Sequence, residues 1–132
     1  MSQQGGCQCG AIRYEVNGPP KHVALCHCDG CRKSAGAPAV AWAAFAQEDF
    51  HLLQGHLTDF NSSGSAIRSF CPRCGTDITY RNTEMLPGIV DIQSATFDDP
   101  TVFPLQCHIQ TAERIDWMEG AHTLPAFKRF PG

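Results

Sequence analysis

Apolar and polar residues alternate along this chain in short runs, and each run ends at a turn signal. Ile12, Tyr14 and Val16 share one face while Arg13 and Glu15 share the other, the two-residue period of a half-buried strand. Gly18-Pro19-Pro20 closes that run. Further strand-like runs are His22 to Leu25, Ala39 to Phe45, Phe50 to Leu53, Leu57 to Phe60, Ala66 to Phe70, Asp77 to Arg81, Ile89 to Phe97 and Cys107 to Thr111. Turn clusters at Asn61-Ser62-Ser63-Gly64, Pro87-Gly88 and Asp98-Asp99-Pro100 separate several of them. A helical period nowhere persists through three turns; Asp29 to Ala35 and Ala112 to Met118 each supply a turn or two. The pattern predicts an all-β, mostly antiparallel domain over residues 1–132, with no linker, charge block or low-complexity segment. For the tail from Pro125 to Gly132 two readings stand open: packing on the body through Phe127 and Phe130, or a frayed terminus.

Composition changes this picture in one respect. A chain of 132 residues can bury a single core, and its eight cysteines are more than packing requires. Ten Lys+Arg against thirteen Asp+Glu leave a formal charge of −3, so no positive excess exists to neutralise phosphates and nucleic acid is not an expected partner. No stretch approaches the roughly 18 apolar residues of a membrane span, so neither is a membrane. The expected compartment is the cytoplasm. There, cysteines at short fixed spacings are metal ligands or redox groups rather than disulfides.

Seven of the eight cysteines fall in three groups: Cys7 and Cys9 in CQCG, Cys26, Cys28 and Cys31 in CHCDGC, and Cys71 and Cys74 in CPRCG. CQCG and CPRCG both end in Cys-Gly and run straight into an alternating strand, so they read as two knuckles of one site. A glycine after the second cysteine can take φ > 0 and turn backbone N–H groups toward the sulfurs. Cys7, Cys9, Cys71 and Cys74 would close a four-thiolate structural zinc, which contributes on the order of 10 kcal/mol to folding. The remaining triplet, Cys26, Cys28 and Cys31, offers zinc three ligands and a free fourth place, the arrangement of a metal that does chemistry. The alternative is that Cys107, His27, His108 or another side chain completes it and both metals are structural. Two zinc ions per chain are expected, the second of them the more labile.

Half of the ten basic residues, Arg13, Arg32, Lys33, Arg68 and Arg73, lie within six positions of a motif cysteine. Arg32 and Lys33, directly after Cys31, are candidates to hold a substrate carboxylate. Arg13 and Arg68 read as solvated strand positions. Trp42 and Trp117 read as core, and His27, between two ligands in extended backbone, as pointing away from the metal.

The runs GGCQCGAIRYEV, CHCDGCRKSAGAP with Ala41-Trp42 after it, FCPRCGTDITY, the Thr96 to Pro100 turn, and Cys107-His108-Ile109 ahead of Asp116-Trp117 occur in an order that resembles the glutathione-dependent formaldehyde-activating enzyme family, which also contains the centromere protein V type domain. The resemblance covers roughly residues 5 to 130 and implies an Mss4-like fold of antiparallel sheets. It implies Cys7, Cys9, Cys71 and Cys74 as structural zinc ligands and Cys26, Cys28 and Cys31 as catalytic ones. The activity it implies is a carbon–sulfur lyase reaction, condensing formaldehyde with glutathione to S-(hydroxymethyl)glutathione. The competing expectation is a zinc-stabilised binding module of the centromere protein V type without turnover, and a third is thiol redox chemistry at Cys107.

Overall fold

The computed structural model describes residues 2–132, and the alternating runs form the strands they predict. The elements are β1 (Ser2–Gly6), β2 (Arg13–Asn17), β3 (His22–Cys26), α1 (Asp29–Ala35), β4 (Val40–Ala46), β5 (Phe50–Gln54), β6 (Thr58–Ser63), β7 (Ala66–Phe70), β8 (Asp77–Asn82), β9 (Ile89–Gln93) and β10 (Cys107–Ile109). Among the described residues α1 is the one α-helix, so the fold is all-β as expected. Strand β1 has no counterpart in the hydrophobic pattern, because Ser-Gln-Gln-Gly-Gly carries no apolar side chain and is held by backbone pairing to β2. The run Ile89 to Phe97 bends into a 3-10 turn at Ser94–Thr96, and the expected helix over Ala112 to Met118 resolves into 3-10 turns at Thr111–Glu113 and Asp116–Met118.

Two sheets result. One has the order β1-β2-β5 and the other β10-β3-β4-β9-β8-β7-β6. Pairing is antiparallel except between β10 and β3, which run parallel across a connection of many residues. The core lies where one face of each sheet is apolar: Ile12, Tyr14 and Val16 join Val23, Ala43, Phe45, Ile78, Val90 and Ile92, with Phe97 wedged among them. Tyr14 is fully buried, packs at 5.6 Å against both Phe50 and Phe97, and shares a 2.6 Å hydrogen bond with the Thr96 hydroxyl. Phe127 and Phe130 stay exposed, so the tail does not bury its rings on the body, and Trp117 is exposed rather than core. No helix among the described residues is long and apolar enough to cross a membrane.

The second face of the large sheet is of a different character. Register places Ala24 opposite Trp42, Trp42 opposite Gln93, Asp91 opposite Tyr80 and Tyr80 opposite Arg68, so these side chains share the face that α1 covers. Arg68, Asp77, Asn82 and Asp91 are all buried there or at its margin.

Close approach of β1 to the core depends on Gly5. A Cβ at that position would lie 2.5 Å from the Thr96 carbonyl oxygen and collide with the Tyr14 hydroxyl. Gly5→Ala should therefore destabilise the protein by about 2 kcal/mol or more through overpacking. Denaturant unfolding of the metal-loaded protein measures this, and a midpoint equal to the parent's would contradict it.

Candidate metal centres and the adjoining cleft

The two Cys-Gly turns are built alike. Cys7 and Cys9 occupy the turn between β1 and β2, and Cys71 and Cys74 the turn between β7 and β8. In each the following glycine is left-handed, Gly10 at φ +84° and Gly75 at φ +81°, and donates its N–H back to the first cysteine's carbonyl, at 3.2 and 2.8 Å. Backbone N–H groups then face sulfur: Ile12 reaches Cys7 Sγ at 3.2 Å, and Arg73 and Cys74 reach Cys71 Sγ at 3.4 and 3.5 Å. The Thr76 hydroxyl lies 3.2 Å from Cys74 Sγ, and the thiol falls to about 5 through its bonds to that hydroxyl and to the Thr76 backbone.

These turns bring four sulfurs together. Cys7, Cys9, Cys71 and Cys74 have Sγ atoms all within 4.8 Å of one another, with Cys7 to Cys9 at 3.6 Å and Cys9 to Cys71 at 3.8 Å. Thiolates ~2.3 Å from a tetrahedral zinc are separated by about 3.8 Å along each edge, so the donor set and its spacing fit that ion.

The second group is Cys26, Cys28 and Cys31, again within 4.8 Å of one another. Cys26 ends β3, and Cys28 caps α1, its Sγ accepting the Cys31 N–H at 3.3 Å. Three soft thiols at this spacing fit zinc as well. Cys107, His27 and His108 lie outside the group. His27 is buried with its Nε2 3.0 Å from His108 Nδ1 and its ring stacked on that of His108, while Cys107 is exposed.

Arg68 departs from its reading as a solvated strand position. It is only 7 % exposed, its Nη1 and Nη2 lie 3.8 and 3.7 Å from Cys31 Sγ, and its guanidinium sits 4.9 Å over the Tyr80 ring. Cys31 is lowered to about 5, first by its hydrogen bond with Cys26 and then, against the opposing cost of burial, by Cys28, the Trp42 indole and Arg68. The sequence held one signal for this: Arg68 shares its face of β7 with Ala66 and Phe70, an inward-facing pattern. Arg13 pairs with Asp98 at the surface. Arg32 is tied to Asp29 one turn earlier on α1, and Lys33 is exposed.

A cleft of about 550 Å³ opens between α1 and strands β6 to β8, lined by Ser34, Thr58, Phe60, Arg68, Phe70 and Asp77 among others. An adjoining hollow of about 330 Å³ includes Gly30, Lys33 and Ser62, and another of about 300 Å³ runs past Cys74 and Thr76. Ser34 donates to Asp77 at 2.9 Å and Gln93 donates to the same carboxylate at 3.1 Å; burial pushes that carboxyl up.

The family model for "Glutathione-dependent formaldehyde-activating enzyme" matches residues 2–113. A protein of Halomonas elongata, named as a candidate glutathione-dependent formaldehyde-activating enzyme, is 27 % identical over 129 residues, covering 90 % of this chain and 81 % of its own length. An uncharacterized lyase of Schizosaccharomyces pombe is 29 % identical over 80 residues, 61 % of this chain and 58 % of that protein. In fold, the chain is similar to a crystal structure of a Rhodobacter sphaeroides protein, with a TM-score of 0.61 at 23 % identity over 78 % of this chain and 99 % of that one.

Beside this site, Asp91 is buried, its Oδ1 lacks a hydrogen-bond partner, and burial raises its carboxyl from 3.8 to about 6, with His22 opposing. A folded pKa above the unfolded one means the native state holds an extra proton between those values, so stability falls as pH rises from about 4 to 6. The shift corresponds to about 3 kcal/mol. Asp91→Asn is expected to flatten this slope and to be more stable by roughly 2 kcal/mol at neutral pH. Urea titrations across the window test it; parallel slopes in the two proteins would refute the assignment.

Proposed function

The chain belongs to the glutathione-dependent formaldehyde-activating enzyme family, and from that premise we propose that it is a zinc-dependent enzyme of the carbon–sulfur lyase type that joins a thiol such as glutathione to a small aldehyde such as formaldehyde. The observation that carries this reading is the triplet Cys26, Cys28 and Cys31, grouped without a fourth His, Cys, Asp or Glu among the described residues and linked through Arg68 to the cleft. A three-ligand set suits a metal that receives substrate, and a four-ligand set one that staples the fold. Cys7, Cys9, Cys71 and Cys74 take the second role. Residues 1–132 act as one domain in this reading, and the reducing cytoplasm, which keeps such thiols free, is the compartment that suits it.

Zinc held by Cys26, Cys28 and Cys31 would lower the pKa of a thiol that reaches it, so that the thiol is a nucleophile at neutral pH. The chain's own groups do the rest. Phe60 and Phe70 line the cleft with apolar surface against which the carbon chain of a substrate can pack. Lys33, exposed at the rim beside Phe60 and Ser62, would meet a glutathione carboxylate. Arg32 is the second candidate for that contact, though it must leave Asp29 to make it. In the addition a carbon–sulfur bond forms, the carbonyl π pair moves to oxygen, and that oxygen takes up the proton the thiol released. Ser34 and Asp77, hydrogen-bonded on the cleft wall, are a protic pair able to carry it.

The test is exchange-detected NMR of glutathione and formaldehyde with the zinc-loaded protein. Exchange should be faster than in the uncatalysed mixture and return to the background rate in Cys28→Ser with the circular dichroism unchanged. Cys74→Ser should instead lose the folded state, since a structural zinc site of this kind is worth on the order of 10 kcal/mol. Background exchange with the parent protein would reject this substrate pair in favour of a binding module, and equal effects of the two substitutions would reject the division of roles.

A further inference from the structure

We propose that Arg68 is a positioning residue for the metal held by Cys26, Cys28 and Cys31: its buried guanidinium, seated between Tyr80 and Gly30, compensates the charge of the Cys31 thiolate, and the triplet holds its cation weakly without it. This rests on the triplet being a metal site.

A guanidinium as buried as this one needs an anion. Among the described residues the ion pairs within 4.0 Å are Arg13 with Asp98, Arg32 with Asp29 and Arg81 with Asp59, and Arg68 is in none of them. Its two terminal nitrogens converge instead on Cys31 Sγ, at 3.7 and 3.8 Å. The anion opposite Arg68 is therefore a thiolate. The Asp77 carboxylate adds a more distant electrostatic attraction, outside ion-pair range.

The triplet needs such a partner. Three thiolates around a divalent cation leave one negative charge, and Cys26 and Cys31 are only 4 % and 6 % exposed, so water cannot solvate it well. Arg68 brings that charge to zero. The same balance favours an anionic sulfur arriving from the cleft, which Arg68 also lines.

The seat for the guanidinium is built into the ligand motif. Gly30 lies between Cys28 and Cys31, and a Cβ there would stand 3.0 Å from Arg68 Nη2. Only the tip of a flexible side chain meets that Cβ, so Gly30→Ala moves the guanidinium while keeping its charge. Alanine also favours the helix at that position. On the opposite side the Tyr80 ring supports the guanidinium face, a geometry a lysine ammonium does not reproduce.

The experiment uses the full chain loaded with Co²⁺, read through sulfur-to-cobalt charge-transfer bands and competition with a chromophoric chelator. Cys28→Ser identifies the bands that belong to the triplet. Arg68→Met should weaken cobalt binding at the triplet by about 10- to 100-fold. Arg68→Lys should recover part of the loss, and Gly30→Ala should shift the triplet's charge-transfer band. The four-cysteine site and the far-ultraviolet circular dichroism should stay as in the parent. Equal cobalt affinity of the triplet in Arg68→Met and the parent overturns the role of Arg68, as does equal weakening at both sites, which marks a general structural effect. A parent spectrum that Cys28→Ser leaves unchanged overturns the triplet as a metal site, and the role of Arg68 with it.

Discussion

The meeting of two Cys-Gly turns at four sulfurs is the contact on which the arrangement of the two sheets depends. One turn joins β1 to β2 in the small sheet and the other joins β7 to β8 in the large one, so the cluster clamps layers that are far apart in sequence. Each turn presents its sulfurs by the same local means, a left-handed glycine and backbone N–H groups aimed at the first thiol. The Gln8 N–H bond to the Thr76 hydroxyl, at 3.1 Å, ties the two turns directly. A domain of this size has a modest core, and the zinc proposed for these four sulfurs would add a cross-link able to match its whole net stability.

The large sheet, its side chains alternating between two faces, divides its work between them. The side toward the small sheet is closed by Tyr14, Phe45, Phe97 and the β-branched residues of β9, which leaves the other side to carry what is polar. That side holds Arg68, Asp91, Tyr80 and the triplet, covered by a helix of seven residues, too short to bury a broad apolar face. The strands fix the spacing of these groups, so the cleft beside them is lined mostly from α1 and strands, with Gly75 of the Cys-Gly turn at its edge.

Most of the fold was legible because a period of two survives wherever one strand face is buried. It failed where burial imposed no pattern. Strand β1 is recruited by backbone hydrogen bonds, and its two glycines serve close approach to the Tyr14 side chain and the Ile12 carbonyl rather than a turn. The candidate ligands were legible as well, since each of CQCG, CHCDGC and CPRCG groups its own sulfurs locally, and the shared Cys-Gly ending pairs the first motif with the third. The charge around the triplet was not. Arg68 is distant from Cys31 in sequence, and only the pairing of β7 with β8 and the bareness of Gly30 bring the guanidinium onto that sulfur. His27 and His108 likewise meet because β10 pairs in parallel with β3.

Exposure explains why one sulfur cluster has an arginine and the other does not. With zinc bound, four thiolates would carry a larger net charge than three, yet Cys9 and Cys74 are exposed and water reaches them, while backbone N–H groups serve Cys7 and Cys71. Solvent screens that charge at little cost. Cys26 and Cys31 are buried beneath α1, and a smaller charge there has no such relief. The compensating cation must then come from the protein, and the bare Cα of Gly30 leaves room for the Arg68 guanidinium between the helix and the Tyr80 ring. Gly30 between Cys28 and Cys31 thus bears on the triplet's electrostatics as well as on its helix, and the CDGC spacing leaves room for a charge as well as a bend in the chain.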